Sequence, residues 1–365
     1  MPARCVIISD GKRGHENQSR TTARMLGDRD PLLMLLRPRA IEWPWRIRLA
    51  YFGTDWLKRK QATRIVARLL KPESNEEFRQ FAEEVRDARG TLRLFTISTG
   101  TSPAALNLVC ARMLGAAPVV NMTPSLLPRQ LFSLNIVPAH DLPANQATPD
   151  NVIVTQLALG YHDQTAAQHL AGQLKKDYAF PADQHYWGVA IGGPSRACPW
   201  MGDRVLDELA ALHGLSKGEG AKLLVTTSRR TPEHCLNWLK SHYLTSPQVP
   251  YFLNATEDPL NPLPAFYELC ERIFVTGDSY SMVCEAVHAG HHPVVLMTSP
   301  GEVPGKLGRA LTRLAQTELV NYRADDAQRT LPERLINVPP LRSEPNSEYQ
   351  RVQAAVRAHF NLKCE

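Results

Sequence analysis

Between residues 5 and 297 the chain alternates between short aliphatic runs and stretches of helical composition. Most of the runs end in glycine, serine or threonine. Runs of that length cannot cover their own faces, and flanking helices can, so the rhythm predicts βαβ units on parallel sheets. Cys5–Ser9, Leu92–Ser98, Pro118–Asn121, Leu134–Val137 and Val152–Thr155 are read as strands, with helices from the Asp10-Gly11 turn to Leu26 and over Ala104–Leu114. The pattern then restarts. Tyr186–Ile191, Lys222–Thr226, Arg272–Thr276 and Pro293–Met297 read as strands, and Asp203–Leu212, Thr231–Leu239 and Ser281–Ala289 as helices. The polar stretch Lys175–Gln184, with Pro181, joins the halves, and Ser347–Phe360 closes the chain as an amphipathic helix. The expectation is an α/β protein of two doubly wound domains, 1–178 and 185–340, with a last helix at 345–362. One larger α/β domain is the competing arrangement.

Composition enters as a filter. Seven scattered cysteines, none in a CxxC or CxxxC spacing, give neither a disulfide framework nor a zinc site. No run approaches the about 20 apolar residues of a membrane span, and Asp10, Lys12 and Arg13 interrupt any leader-like start. A cytoplasmic protein is expected. The net charge of +6 is unevenly placed. Residues 1–72 hold 16 Lys or Arg against 6 Asp or Glu, leaving 26 against 30 for the remainder. In that basic part, Trp43, Trp45 and Trp56 interleave with Arg46 and Arg48. Aromatics among cations suit an anionic membrane surface, so these five residues are expected to make membrane contact, peripherally, on the inner face. Buried tryptophans with solvated arginines are the plain alternative. Nucleic acid is not expected, because no recognisable nucleic-acid module surrounds the segment.

Three loops of the second half point to an anionic ligand, because ligands of open parallel sheets bind beyond the carboxyl ends of the strands. In the first, a strand delivers the chain to Gly277, Asp278 and Ser279, and a helix carries Ser281, Met282 and Glu285. The unpaired amides at that helix start suit a diphosphate, and Glu285, one turn on, suits the hydroxyls of a ribose. The second loop offers Gly192, Gly193, Ser195 and Arg196, and the third Ser228 and Arg229. Their arginines are candidate phosphate clamps. In the first half, Asp10, Gly11, Lys12, Gly14, His15 and Gln18 follow the opening strand, with Thr99 and Gly100 on a neighbouring loop. This is neither a dinucleotide fingerprint nor a P-loop. Asp10 or His15 is the candidate general base.

The motifs DGKRGHENQ (10–18), IGGPSR (191–196), TTSRRTP (226–232) and VTGDSYSMVCEA (275–286) resemble the mitochondrial fission ELM family, in family order. Its bacterial members are regarded as glycosyltransferases. The resemblance implies a GT-B-like fold: two Rossmann-like domains facing across a cleft, with the last helix returning to the first. It implies a nucleoside diphosphate sugar donor on the second domain, with Glu285 at the ribose and Ser279, Ser281 and Met282 at the diphosphate. A hydroxyl acceptor on the first domain would meet Asp10 or His15. No metal and no cofactor are implied. Pro293 stands where many retaining enzymes of this fold carry a second glutamate, which favours inversion of the sugar. The basic aromatic segment adds a lipid-linked or lipopolysaccharide-type acceptor. A sugar-nucleotide epimerase and a non-catalytic membrane adaptor are the alternatives.

Overall fold

A computed structural model describes residues 1–37, 68–87, 90–124, 127–142, 148–195, 198, 200–299, 303–323, 328–335 and 340–362. The chain forms two compact units, Met1–Gly160 with Glu348–Glu365, and Tyr161–Ser347.

The first unit runs β1 (Ala3–Ser9), α1 (Arg13–Leu26), β2 (Leu32–Leu35), α2 (Pro72–Asp87), β3 (Arg93–Thr99), α3 (Thr101–Leu114), β4 (Ala117–Asn121), β5 (Leu134–Pro138) and β6 (Val152–Thr155). The strands form one parallel sheet in the order β2-β1-β3-β4-β5-β6. Side chains alternate across a strand, so β1 feeds two cores. Val6 and Ile8 join Phe78, Phe81 and Val85 of α2 and Leu106 and Val109 of α3. Cys5 and Ile7 join Ala23, Met25 and Leu26 of α1 on the other face.

The second unit runs α4 (Gln164–Asp177), β7 (Tyr186–Ile191), α5 (Gly202–Gly218), β8 (Lys222–Thr227), α6 (Glu233–His242), β9 (Tyr251–Leu253), α7 (Leu263–Leu269), β10 (Arg272–Thr276), α8 (Tyr280–His288), β11 (Val294–Leu296), α9 (Gly305–Gln316) and α10 (Leu331–Leu335). Its parallel sheet has the order β11-β10-β7-β8-β9. Every residue of the central strand β7 is buried, as both-face coverage requires. Gly188 is needed there: a Cβ would lie 2.8 Å from Ile273 Cδ1 and 3.3 Å from Phe266 Cβ.

The last helix, α11 (Ser347–His359), belongs to the first unit. Its Tyr349, Val352 and Val356 fill the core beside Cys5 and Ile7. Glu348 accepts from Gln156 N at 2.7 Å, and Arg351 donates to the Val154 carbonyl at 2.7 Å. The division between units falls at Gly160, ahead of the polar stretch at 175–184. The reason is apolar packing. Ala167, Ala171 and Leu174 of α4 are buried, α4 packs on α7, and Tyr178 and Phe180 carry ring contacts on to Tyr251 and Tyr186.

Both sheets have a switch point, where successive strands are added on opposite sides of the first strand. It lies between β1 and β3 in one unit and between β7 and β10 in the other. Loops leaving such a pair diverge and leave a crevice at the carboxyl ends. The candidate motifs sit on those loops.

Candidate functional site

At the first switch point β1 leads into Asp10, whose side chain is fully buried. His15 Nδ1, from the first turn of α1, lies 3.1 Å from both of its carboxylate oxygens. Lys12 Nζ lies 2.9 Å from Oδ2. Burial pushes the Asp10 carboxyl up, but the hydrogen bonds of His15 and Lys12 outweigh it and hold the group down at about 2. An ionised carboxylate only accepts, so Nδ1 carries a proton, and in the neutral ring Nε2 is then the nitrogen with the lone pair. Nε2 makes no hydrogen bond with a described residue, and the His15 side chain keeps 24% exposure. The ring rests against Gly100, at the N-cap of α3 with φ +79°, where a Cβ would come within 3.2 Å of His15 Cε1. Gly11 takes φ +79° to turn the chain out of the strand, and its N–H bonds Ser9 Oγ.

Other residues expected on this edge serve differently. Thr99 is buried and accepts from Asn121 Nδ2 at 3.1 Å, with Ser19 Oγ at 2.8 Å, so it braces α1 against the sheet. Gly14 is exposed on α1 with open space around it, and no close approach demands a glycine. Gln18 is half-buried, and its carbonyl receives Thr22 Oγ1.

At the second switch point Asp278 is fully enclosed, and its oxygens are committed. Gly193 N–H donates at 2.9 Å, Thr276 Oγ1 at 2.7 Å and Arg230 Nη2 at 3.0 Å. Burial outweighs these donors and pushes its carboxyl up. Arg230 also donates to the carbonyls of Gly193 and Pro194, and Thr231 Oγ1 to that of Gly192. Three loops are thereby knotted around one carboxylate. The paired glycines exist for this knot. A Cβ on Gly192 would lie 2.3 Å from Asp278 Oδ2, and one on Gly193 2.1 Å from Arg230 O. Asp278 is therefore a positioning residue, with no oxygen left over for a ligand. Sequence reading chose Arg229, which is exposed, and passed over Arg230, its neighbour in the same motif.

The ligand-facing candidates lie around the knot. Ser279 is the N-cap of α8, yet its side chain makes no capping bond, so the first amides of the helix are not taken by it. Ser281 is exposed, and Met282 and Glu285 are half-buried. The Glu285 carboxyl makes no hydrogen bond or ion pair with a described residue, and burial pushes it up to about 7. Ser195 is exposed, and Ser228 Oγ accepts from Arg230 N. Arg196, Trp43, Trp45, Arg46, Arg48 and Trp56 lie outside the described residues. Among the described residues, no three His, Cys, Asp or Glu side chains are grouped to hold a metal ion. Nor is any helix there long and apolar enough to cross a membrane.

Two tandem parallel-sheet units, each with its candidate loops at a carboxyl-edge switch point, define a GT-B-like α/β protein. The profile described as Mitochondrial fission ELM1 matches residues 13–360, and the chain belongs to that family. No curated protein matches the sequence. Among solved structures, the chain is similar to a Listeria monocytogenes protein assigned as a UDP-N-acetylglucosamine 2-epimerase, at 10% identity and a TM-score of 0.52, covering 100% of this chain and 98% of that one. A second UDP-N-acetylglucosamine 2-epimerase matches at 11% identity and a TM-score of 0.50, covering 100% and 97%. The E. coli ADP-heptose lipopolysaccharide heptosyltransferase II matches at 14% identity and a TM-score of 0.44, covering 98% of each.

Proposed function

We propose that the protein is a glycosyltransferase that moves a sugar from a nucleoside diphosphate donor to a hydroxyl acceptor, with inversion. The observation that carries this reading is the His15 imidazole, pinned at Nδ1 by an ionised Asp10 while Nε2 makes no hydrogen bond with a described residue. Such a ring accepts a proton from a hydroxyl, and the aspartate stabilises the imidazolium that results. His15 is the base in this reading, and Asp10 orients it. Glu285 supports the donor half: a desolvated carboxyl without a hydrogen-bond partner among the described residues suits a diol. Ser279, Ser281 and Met282 would present the start of α8 to the diphosphate, where charge develops as it leaves. Gly193, Ser195, Arg196, Ser228 and Arg229 would flank it. The fold matches favour a uridine diphosphate donor. The basic aromatic segment favours a lipid-linked acceptor at an anionic membrane.

The test is a panel of nucleotide sugars with and without alcohol acceptors, read by diphosphonucleoside release. Acceptor-dependent release, lost in His15→Ala, is expected. Conversion of the sugar without any acceptor would replace transfer by epimerisation, the activity named for the two fold matches. Absence of any turnover by wild type would leave the adaptor reading. Wild-type protein is expected to sediment with anionic vesicles and Trp43→Ala/Trp45→Ala/Trp56→Ala protein is not; failure of wild type to do so removes the membrane part alone.

A further inference from the structure

Two side-chain links join the end of β1 to the first turn of α1, and one is nested inside the other. The inner link runs from Asp10 to His15, five positions apart. The outer link runs from Ser9 to Glu16, seven positions apart, where Ser9 Oγ donates to Glu16 Oε1 at 2.7 Å. Ser9 is the last residue of β1 and is buried, and Glu16 is half-buried on α1. Ser9 is itself well anchored. Its carbonyl accepts from Leu36 N at 2.9 Å, and its Oγ accepts from Gly11 N at 2.9 Å.

Little else among the described residues fixes the start of this helix. Its N-cap, Lys12, makes no side-chain capping bond. Gly11 and Gly14 lie on either side of it, and a Cβ on either would meet nothing within 4 Å. The next ties to the sheet are Ser19 to Thr99 at 2.8 Å and Thr22 to Asn121 at 2.9 Å. Those lie about one and two turns beyond His15. Lys12 does not orient the ring either. Its Nζ lies 2.9 Å from Asp10 Oδ2, but the side chain is 62% exposed, and a flexible stem follows the carboxylate wherever it turns. Asp10 could keep that partner with His15 turned away.

We propose that Glu16, acting through Ser9, is a positioning residue for His15: the outer link sets the start of α1 so that Nδ1 meets both Asp10 oxygens. The proposal rests on the reading of His15 as the base. A base must be held close to its working geometry, since a misplacement of about 1 Å can cost about 10²-fold in rate. An acidic residue in the first turn of a helix also favours the helix dipole, and the two roles separate chemically. The dipole role needs the charge, whereas the link needs only an acceptor oxygen. Glu16→Gln keeps the oxygen and removes the charge; Ser9→Ala keeps the charge and removes the link.

The test compares Glu16→Ala, Ser9→Ala and Glu16→Gln with wild type in two readouts. The first is the tautomer of the neutral His15 ring in the unliganded full chain, by nitrogen NMR of the imidazole, with His15→Ala identifying the signal. Wild type and Glu16→Gln are expected in the Nδ1–H form, and both alanine variants as a mixture of the two tautomers. The second is acceptor-dependent release of nucleoside diphosphate. Here kcat should fall about tenfold in both alanine variants at an unchanged donor KM, and Glu16→Gln should recover it. The wild-type tautomer in both alanine variants overturns the proposal. So does Glu16→Gln behaving like Glu16→Ala, which would make the charge the role of Glu16. Absence of turnover by wild type removes the base reading, while the tautomer comparison still decides whether the link positions the ring.

Discussion

Asp10 and Asp278 occupy matching places: each lies in the loop at the carboxyl end of a strand that borders a switch point. Both side chains are sealed from solvent. Their environments push them in opposite directions. His15 and Lys12 hold Asp10 down at about 2, whereas burial wins at Asp278 and raises it. The difference lies in the partners. The Asp278 donors are a backbone amide, a threonine and an arginine whose remaining bonds return to the same loops. The main Asp10 partner is an imidazole whose second nitrogen makes no hydrogen bond with a described residue. A buried carboxylate at a sheet edge is thus a brace or part of a chemical site according to where its partner's other end points.

The comparison can be broken at several points. His15→Ala should lower turnover by about 10²–10⁴-fold, the usual contribution of a general base, with Tm close to wild type. A large fall in Tm instead would make His15 a brace too. Asp278→Ala should cost about 3 kcal/mol or more, because Arg230 loses its buried carboxylate and Gly193 its acceptor. Denaturant unfolding reads this loss, and a wild-type midpoint would remove Asp278 from the brace class.

Titration sharpens the contrast further. The Asp10 pKa is depressed, so its contribution is full above the ordinary value of 3.8 and is lost as pH falls through about 2. The Glu285 pKa is raised, so its contribution is full below 4.5 and is lost as pH rises through about 7. Glu285→Gln should therefore flatten the fall in stability across that upper window, seen in Tm against pH. If donor binding uses this carboxyl, the same variant weakens UDP binding in calorimetry. The smallest effect belongs to glycine. Gly14→Ala should stabilise by about 0.5–1 kcal/mol, since it sits on a helix with open space, whereas Gly100→Ala should destabilise through φ +79° and crowd His15.

The sequence carried the strands well where runs were aliphatic and bounded by turn residues. Arg272–Thr276 is found with its expected limits, and α1 ends at Leu26 as expected. It missed β9, α7 and α4, because three strand residues and short helices do not establish a period, and because α4 is held by Ala167, Ala171 and Leu174 rather than by a broad apolar face. The candidate loops were legible because turn chemistry stays local to the chain. Their division of labour was not. Whether Arg229 or Arg230 faces the knot, and whether Asp278 binds or braces, depends on hydrogen bonds between residues 36 to 85 positions apart.

The packing of α11 on β1 has a consequence for how the chain is made. Cys5 and Ile7 leave the ribosome before the whole second unit, and Val352 and Val356, which cover them, leave after it. While the second unit is being synthesised, that apolar face of the first is not yet covered by α11. Completion of the first unit is thus deferred until the second has been made, and anything that binds exposed aliphatic surface has that interval in which to act.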